Sequence, residues 1–486
     1  MFPSSRSMVI PSNPGTSQDT KIVVYQALIA LLQDACTMST LPPSDVNSFQ
    51  LALEGHRHSM SSESVVGAIV DSLKNRKILL EVASRLRLAS DLNLRTALGA
   101  DEGRLVTFLV FILDTKSMED SILMLEDDSA QCFMDVVQEV LDKGFLMAPE
   151  HSSKARRLIR KLSESCERLP SALFITGVSG REEHPTFGGG FGDIYRASYD
   201  NQVVALKHMR HFLRGAELRR IRLKFCREAL LWKDLHHPHI LPFIGIDRES
   251  FPASLCMVSP WLEHGTVLKY LNDHDRQNVD KLLFEVAQGL EYLHSHNIVH
   301  GDLRGSNILV NKDWSACLAD FGLSGFSDGG STGQTSSKRA GSAYWMAPEL
   351  LAPEQFGTKF SRTQASNVYA FGCVCLELYT GHPPFSELSE VGAMLKVVDG
   401  KRPQRPSDGT PVITDLLWHN ISTYWVQKPA ARPLTKVVVR NMAWPASEQQ
   451  TSTSPNLNGE VQGQTTDGSV ILLYGVFSLF LDTATD

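Results

Sequence analysis

Residues 300–310 read HGDLRGSNILV, and this stretch decides how the rest of the chain is interpreted. It places an aspartate, an arginine and an asparagine within six positions, and an apolar run follows directly. Two further motifs follow along the chain, LADFG at residues 318–322 and APE at residues 347–349. Each motif alone is a weak signal, so its meaning depends on the sequence around it.

A glycine-rich turn lies upstream, where residues 187–195 read FGGGFGDIY. Glycines let the backbone approach phosphate oxygens and point its N–H groups at them, although a plain hairpin turn would look similar. No Walker-type GxxxxGK[ST] motif is present, which disfavours a P-loop NTPase. The apolar strand at residues 203–207 ends in Lys207, and a helix about twenty residues later carries Glu228, which could hold the ammonium in place.

In this order the motifs resemble the signature set of the eukaryotic protein kinases: glycine-rich loop, VAIK lysine, helix-C glutamate, HRDLxxxxN, DFG and APE. The resemblance covers about 265 of the 486 residues, and six motifs in order at near-family spacing argue against chance. The stretches at residues 237–243 (HPHILPF) and 345–349 (WMAPE) are most similar to the tyrosine-kinase-like serine/threonine kinases, including the many fungal ones.

The resemblance implies the α+β fold class and a bilobal protein-kinase fold, in which a small antiparallel sheet with one helix precedes a mostly helical lobe and ATP lies between the lobes. We expect this domain at residues 179–443. Residues 21–170 read as an α-helical domain, a regulatory or docking module that could have a regulatory partner. By composition, residues 1–20 and 444–469 are expected to be disordered, and residues 470–486 form a short apolar C-terminal segment.

Two helices of the N-terminal domain are predicted from apolar periodicity. One starts at Ser129 as N-cap and stops at Gly144, and the other covers residues 153–166. A solvated helix face explains the basic residues of the second helix, with a nuclear or lipid signal as the alternative. These outward basic residues are Arg156, Arg157, Arg160 and Lys161.

The kinase resemblance implies catalytic roles residue by residue. Lys207 would hold the α- and β-phosphates of ATP, and Glu228 would fix its ammonium as an ion pair. Asp302 would accept the proton of the substrate hydroxyl and orient it for in-line attack. Arg304 matches the lysine that serine/threonine kinases place near the γ-phosphate, which favours Ser and Thr hydroxyls of protein substrates.

Nucleotide and metal contacts are implied in the same way. Asp320 would bind Mg²⁺ between the β- and γ-phosphates and Asn307 a second Mg²⁺, because hard oxygen ligands suit this ion. Residues 257–265 resemble the hinge that links the two lobes, and Ser259 falls at its gatekeeper position. The small side chain of Ser259 predicts an enlarged back pocket. The residues expected to contact the nucleotide are glycines of the loop, residues of the hinge and residues that line the adenine pocket. They are Gly189, Gly190, Gly192, Ile194, Ala205, Lys207, Ser259, Pro260, Leu262 and Leu309.

Three positions depart from the family pattern. Phe187 stands in place of the first loop glycine, which predicts weaker nucleotide affinity. Gly301 replaces the HRD arginine, so activity is not expected to depend strictly on activation-loop phosphorylation. Asn367 replaces an aspartate that accepts bonds from catalytic-loop amides, so the loop should be held less firmly. Glu349 and Arg432 match the family's buried ion pair.

These departures motivate an alternative function, a pseudokinase scaffold that binds nucleotide or partners without efficient transfer. The lysine, glutamate, two aspartates and asparagine of the reaction are nevertheless all present, which favours an active enzyme. A tyrosine-specific kinase is a third interpretation, and the phosphorylated residue type of the product distinguishes it.

The composition bounds the partners and the compartment. Lys plus Arg is 47 and Asp plus Glu is 54, so the net charge of −7 argues against nucleic acid as a partner. Eight cysteines in 486 residues are too sparse for a disulfide scaffold, which fits a reducing, cytoplasmic location without excluding the nucleus. The first 20 residues lack an apolar core, so no signal peptide is expected.

An apolar run near the C-terminal end of the sequence bears on membrane association. The apolar run at residues 470–481 has twelve residues, fewer than the ~20 that a bilayer span needs. A docked terminal segment is therefore the favoured interpretation, a membrane anchor is the alternative, and no membrane partner is expected.

Overall fold

A computed structural model of the chain describes residues 22–38, 47, 49–51, 53–55, 62–189, 192–209, 216–251, 254–321, 325–326, 343–407 and 411–442. The predicted disordered segments and the apolar run at residues 470–481 lie outside these residues. None of the helices within the described ranges is both long enough and apolar enough to cross a membrane.

Helices make up the described N-terminal region. The helix that we predicted from Ser129 begins earlier, at Asp127, with Glu126 as its N-cap, because acidic residues in the first turn favour the positive end of the helix dipole. The chain leaves this helix at Gly144, which has a φ of +65°. The helix bounds are α1 Gln26–Met38, α2 Val65–Arg85, α3 Leu92–Asp114, α4 Lys116–Leu123, α5 Asp127–Asp142 and α6 Pro149–Cys166.

Helix α6 also starts before its predicted first residue, since Pro149 supplies the fixed φ that suits a first helical position. Its buried face carries Leu158, Ile159 and Leu162, as the periodicity predicts. The basic face is not purely solvated. Arg156 forms an ion pair at 3.0 Å with Asp234, which follows the helix of the sheet lobe.

A six-stranded sheet follows, with strand order β1-β5-β6-β4-β3-β2. The sheet differs from the prediction in one respect: β1 pairs with β5 in parallel, and it precedes the expected domain start at residue 179. A 3₁₀ turn, Ser171–Leu173, leads from the helical region straight into β1. The strands are β1 Phe174–Ile175, β2 Phe187–Gly189, β3 Gly192–Tyr199, β4 Gln202–His208, β5 Gly245–Asp247 and β6 Cys256–Pro260, and helix α7 covers Ala216–Lys233.

Alternation along the strands separates the two faces of this sheet. One face buries Val204 and Leu206 in a small apolar cluster of its own. Cross-strand partners share a face, and Lys207 is paired with Ile194 on β3 while Ala205 is paired with Ser259 on β6. The opposite face therefore carries most of the residues expected around a nucleotide.

The second lobe is mainly helical, which confirms the predicted bilobal α+β fold. Helix α11, Gln364–Thr380, is buried along almost its whole length, and a capping box at Thr363 precedes it. Small strand pairs hold the loops that face the sheet: β7 with β10 and β8 with β9. The bounds are α8 Val267–Asp273, α9 Val279–Ser295, β7 Ile298–Val299, β8 Ile308–Val310, β9 Ala316–Leu318, β10 Gly325–Phe326, α10 Pro348–Leu351, α11 Gln364–Thr380, α12 Glu390–Val398, α13 Asp415–Tyr424 and α14 Thr435–Asn441.

Candidate active site

Lys207 is the centre of the charged cluster between the lobes. Its Nζ contacts Glu228 on α7, and it lies 2.9 Å from Oδ1 of Asp320. The side chains of Lys207 and Glu228 are only 13% and 2% exposed. Three residues that are far apart in the sequence thus meet in a largely buried ion-pair network.

The electrostatics of this cluster keep the ammonium charged. Burial works against the charged form of Lys207, but the nearby charges of Asp320 and Glu228 outweigh it, and the pKa of Lys207 is raised. A lysine held charged in a buried position can bind an anionic group without an added protonation step.

Asp302 and Asn307 meet in the loop between β7 and β8. The amide Nδ2 of Asn307 donates to the backbone oxygen of Asp302 at 2.8 Å and to its Oδ2 at 3.0 Å. Nε of Arg304 lies 3.6 Å from Oδ2 of Asp302, beyond hydrogen-bonding distance. This nitrogen is buried and has no hydrogen-bond partner among the described residues, so an anion placed here would satisfy it.

Backbone contacts join this loop to the segment that carries Asp320. His300 is fully buried and its Nε2 lies 3.0 Å from the carbonyl oxygen of Ala319, while the N–H of Ala319 donates to the carbonyl of Asn307 at 2.9 Å. Burial lowers the pKa of His300, which leaves the ring neutral at pH 7. The two loops are therefore held together as one unit.

The backbone of Asp320 has a strained conformation. Asp320 has a φ of +62°, which is uncommon for a residue with a side chain and recurs at functional sites. The next residue, Phe321, is buried and packs its ring 5.5 Å from His300 and 5.8 Å from Trp232 of α7. These contacts hold the Asp320 carboxylate on the side of Lys207.

The glycine-rich turn joins β2 to β3. Gly192 has a φ of +142°, and a Cβ added there would lie 2.1 Å from the backbone oxygen of His208, so only glycine fits. Phe187 is 54% exposed and stacks at 6.1 Å on Trp261, which follows the last strand of the sheet. Gly190 lies outside the described residues.

The expected hinge follows β6. Ser259 is buried on this strand, whose last residue is Pro260, and the N–H of Trp261 continues the pairing with β4 by donating to Val203. Leu262 accepts from the N–H of Gly265 in a tight turn.

Leu309 lies on the opposite side, in the second lobe. Thr266, just after the tight turn, bridges to Leu309 on β8. Ala205 and Leu309 are both half-buried, as expected for residues that line an adenine pocket from the two lobes.

Gly301 and Asn367, the two residues of the second lobe that depart from the family pattern, contact each other. The N–H of Gly301 donates to Oδ1 of Asn367 at 3.2 Å, so asparagine retains one contact of the expected aspartate. Its Nδ2 lies 3.2 Å from Nε2 of His294, whose pKa falls to about 3 through burial and the nearby His300. A neutral amide thus pairs with a neutral imidazole where the family pattern has a charge.

Arg362 is a residue that the sequence analysis missed. Its Nε donates to the carbonyl oxygen of Gly301 at 3.0 Å, which brings a cation beside Asp302 although the HRD arginine is absent. Burial lowers the pKa of Arg362, and the charge of Asp302 opposes that shift. No local pattern indicates this contact, because the two residues are 61 positions apart.

Glu377 on α11 was also missed. Its Oε2 accepts the N–H of Gly305 and the indole N–H of Trp345, each at 2.8 Å, and so joins the loop between β7 and β8 to the segment before the APE motif. Burial raises the pKa of Glu377 to about 7, while these hydrogen bonds and Arg304 favour the ionised form.

We expect Glu377→Gln to flatten the pH dependence of stability. A carboxyl whose pKa rises to about 7 on folding stabilises the fold below about pH 4.5, and this contribution is lost as the pH rises to 7. The glutamine oxygen can accept both N–H groups without titrating, so the variant should gain on the order of 3 kcal/mol over the wild type across that window. Urea unfolding from pH 5 to 8 measures the difference, and parallel curves for the two proteins would contradict it.

The predicted ion pair between Glu349 and Arg432 is present and buried. Two guanidinium nitrogens donate to the two carboxylate oxygens at 2.6 and 2.7 Å. Arg432 also donates to the backbone oxygens of Ala365, Val426 and Gln427. The pair fixes the APE motif against the segment that leads into α14.

A two-lobed fold with a lysine–glutamate–aspartate network facing an aspartate–asparagine loop defines the class of the protein kinases. The protein tyrosine and serine/threonine kinase family matches residues 185–442, which is more than half of the chain. The chain belongs to this family, which confirms the recognition made from the motifs.

Curated relatives carry kinase names. Serine/threonine-protein kinase STY17 of Arabidopsis thaliana is 31% identical over 50% of this chain and 41% of its own length. Serine/threonine-protein kinase CTR1 of the same plant is 33% identical over 50% of this chain and 29% of its own length. Serine/threonine/tyrosine-protein kinase HT1, also of this plant, is 30% identical over 50% of this chain and 61% of its own length. The chain thus spans less than two thirds of the length of these relatives.

Proposed function

We propose that this chain is an ATP-dependent protein kinase that transfers the γ-phosphoryl group of ATP to Ser and Thr hydroxyls of protein substrates. The observation that supports it most is the buried Lys207, which pairs with Glu228 and Asp320 at once. An intact network of this kind is the arrangement that nucleotide phosphates require.

In the proposed reaction each residue has a separate task. Lys207 binds the α- and β-phosphates, and Glu228 holds its ammonium in place. Arg304 directs its buried Nε, which has no hydrogen-bond partner in the described part of the chain, toward the γ-phosphate. Asp302, whose carboxylate is fixed by the amide of Asn307, accepts the proton of the attacking hydroxyl and aligns its oxygen with phosphorus.

Asp320 and Asn307 fit Mg²⁺. A carboxylate and an amide oxygen are the hard ligands that this ion prefers, and the amide nitrogen of Asn307 is already engaged by Asp302. Within the described ranges no group of three or more His, Cys, Asp or Glu is arranged to hold a metal alone, so phosphate oxygens would complete the coordination. When bound, the ions would neutralise the charge that develops on the phosphate oxygens.

The preference for Ser and Thr rests on Arg304. It occupies the place of the lysine of serine/threonine kinases and lies beside Asp302. The names of the relatives STY17 and CTR1 support the same preference, whereas the name of HT1 includes tyrosine. Phosphoamino-acid analysis of the product tests it: phosphoserine and phosphothreonine are expected, and phosphotyrosine alone would reject the assignment.

A transfer assay on the wild-type chain tests the proposed activity. The purified protein is incubated with labelled ATP, Mg²⁺ and a generic basic protein substrate, and nucleotide binding is measured in parallel. Incorporation of label that requires Mg²⁺ is the expected result. Binding without incorporation would instead support the pseudokinase scaffold that Phe187, Gly301 and Asn367 suggest.

The domain arrangement is part of the proposal. We place the kinase domain at residues 179–443, with β1 added to its sheet from the preceding segment, and a regulatory helical domain at residues 21–170. A cytoplasmic location fits an enzyme that uses ATP and has eight free cysteines.

A further inference from the structure

Helix α7 carries Glu228 toward Lys207. The preceding residue of the same helix, Arg227, contacts the N-terminal helices. The guanidinium of Arg227 donates to both carboxylate oxygens of Glu164 on α6, at 2.6 and 3.1 Å. Successive residues of an α-helix are rotated by about 100°, so Arg227 and Glu228 leave the same turn in different directions. The position of one side chain therefore constrains the position of the other.

Further ion pairs hold the same helix near both of its ends. The residues on α7 are basic and their partners in the N-terminal region are acidic, so the two surfaces match in charge. These contacts are Arg219 with Glu167 at 2.8 Å and Lys233 with Asp142 at 2.5 Å. Residues 219 and 233 are about 21 Å apart along a helix with a rise of 1.5 Å per residue, so the contacts cover most of its length.

Apolar packing accompanies these charges. Phe225 and Cys226 of α7 are buried in the same continuous cluster as Ile159 and Leu162 of α6. An α-helix is a rigid element, so a rotation of α7 that separated Glu228 from Lys207 would also break the contacts with α6. The helical region and the catalytic ion pair are thus mechanically coupled.

We propose that Glu164, Asp142 and Glu167 are positioning residues for the ion pair between Lys207 and Glu228. The N-terminal helical region thereby activates the enzyme. These residues touch neither nucleotide nor substrate and act through Arg227 and its helix on Glu228. The inference rests on the proposed kinase function, to which it adds a requirement that lies outside the family-matched residues 185–442.

A charge exchange across this interface tests the proposal. Arg227→Glu places two carboxylates face to face, and Glu164→Arg combined with Arg227→Glu restores an opposite-charge pair. Lys154→Glu is the matched control, since Lys154 forms a comparably exposed ion pair with Asp114 at 2.7 Å within the helical region. The readouts are kcat and KM for ATP, amide hydrogen exchange of residues 216–233, and the thermal midpoint.

We expect Arg227→Glu to lower kcat/KM for ATP by about tenfold or more and to speed exchange in α7, as for a coupling of ordinary size. The double variant should recover to within about threefold of the wild type, and the thermal midpoint distinguishes a loss of folding from a change in the position of α7. The control should leave kcat/KM and exchange in α7 unchanged.

Two outcomes would overturn the proposal. One is an Arg227→Glu variant that matches the control in kcat/KM and in exchange. The other is a double variant that stays impaired while its thermal midpoint falls, because that result indicates general destabilisation. If the wild type binds ATP without transferring phosphate, the proposed function fails, yet exchange in α7 still decides the positioning role.

Discussion

Asp302→Asn should lower the rate of phosphate transfer by about 10²–10⁴-fold, the usual effect of removing a general base. The asparagine cannot accept the proton of the substrate hydroxyl. Its backbone oxygen still accepts from Asn307, so the loop keeps one of its two bonds. Since Asp302 is not expected to hold the nucleotide, the affinity for Mg²⁺-ATP should change by less than about threefold.

The measurement is the initial rate of transfer at saturating ATP, together with an independent binding titration. Asp313→Asn is the matched control, because Asp313 is an exposed aspartate in the turn between β8 and β9. We expect the control to match the wild type. An Asp302→Asn variant with more than about a third of the wild-type rate would contradict the proposed role.

The second large effect concerns stability. Arg432→Met should lower the free energy of unfolding by about 3–5 kcal/mol, the cost of leaving a buried charge without its partner. The side chain of Arg432 is fully buried and that of Glu349 is 7% exposed, so water cannot replace the guanidinium. Three backbone oxygens lose a donor at the same time.

Urea unfolding at pH 7 measures this loss. Arg85→Met is the control, since Arg85 pairs with Glu81 on an exposed helix face and its removal should cost less than about 1 kcal/mol. Combining Arg432→Met with Glu349→Gln should recover part of the stability, because the unpaired charge is then absent. Equal losses for Arg432→Met and Arg85→Met would show that the buried pair does not stabilise the fold.

Much of the fold follows from local sequence patterns. The order of the motifs predicted the bilobal kinase fold. Periodicity predicted the inward face of α6, while its start was wrong by several residues because Pro149 extends it. Patterns of this kind depend on near neighbours, which sequence records directly.

The remainder of the site depends on contacts between distant segments. Arg362 reaches Gly301, and Glu377 joins Gly305 to Trp345, through positions that only the folded chain brings together. The basic residues of α6 read as a solvated face, yet Arg156 pairs with the sheet lobe. Periodicity identifies the polar face of a helix, but it does not identify which residues of other segments contact that face.

Strand β1 has a consequence for any shortened form of the chain. Phe174 and Ile175 occupy the outer edge of β5, although the family match starts only at residue 185. A fragment that begins there would leave the β5 edge with unpaired N–H and C=O groups, and such edges recruit strands from other molecules. The isolated catalytic part should therefore self-associate, whereas the longer chain protects its own sheet.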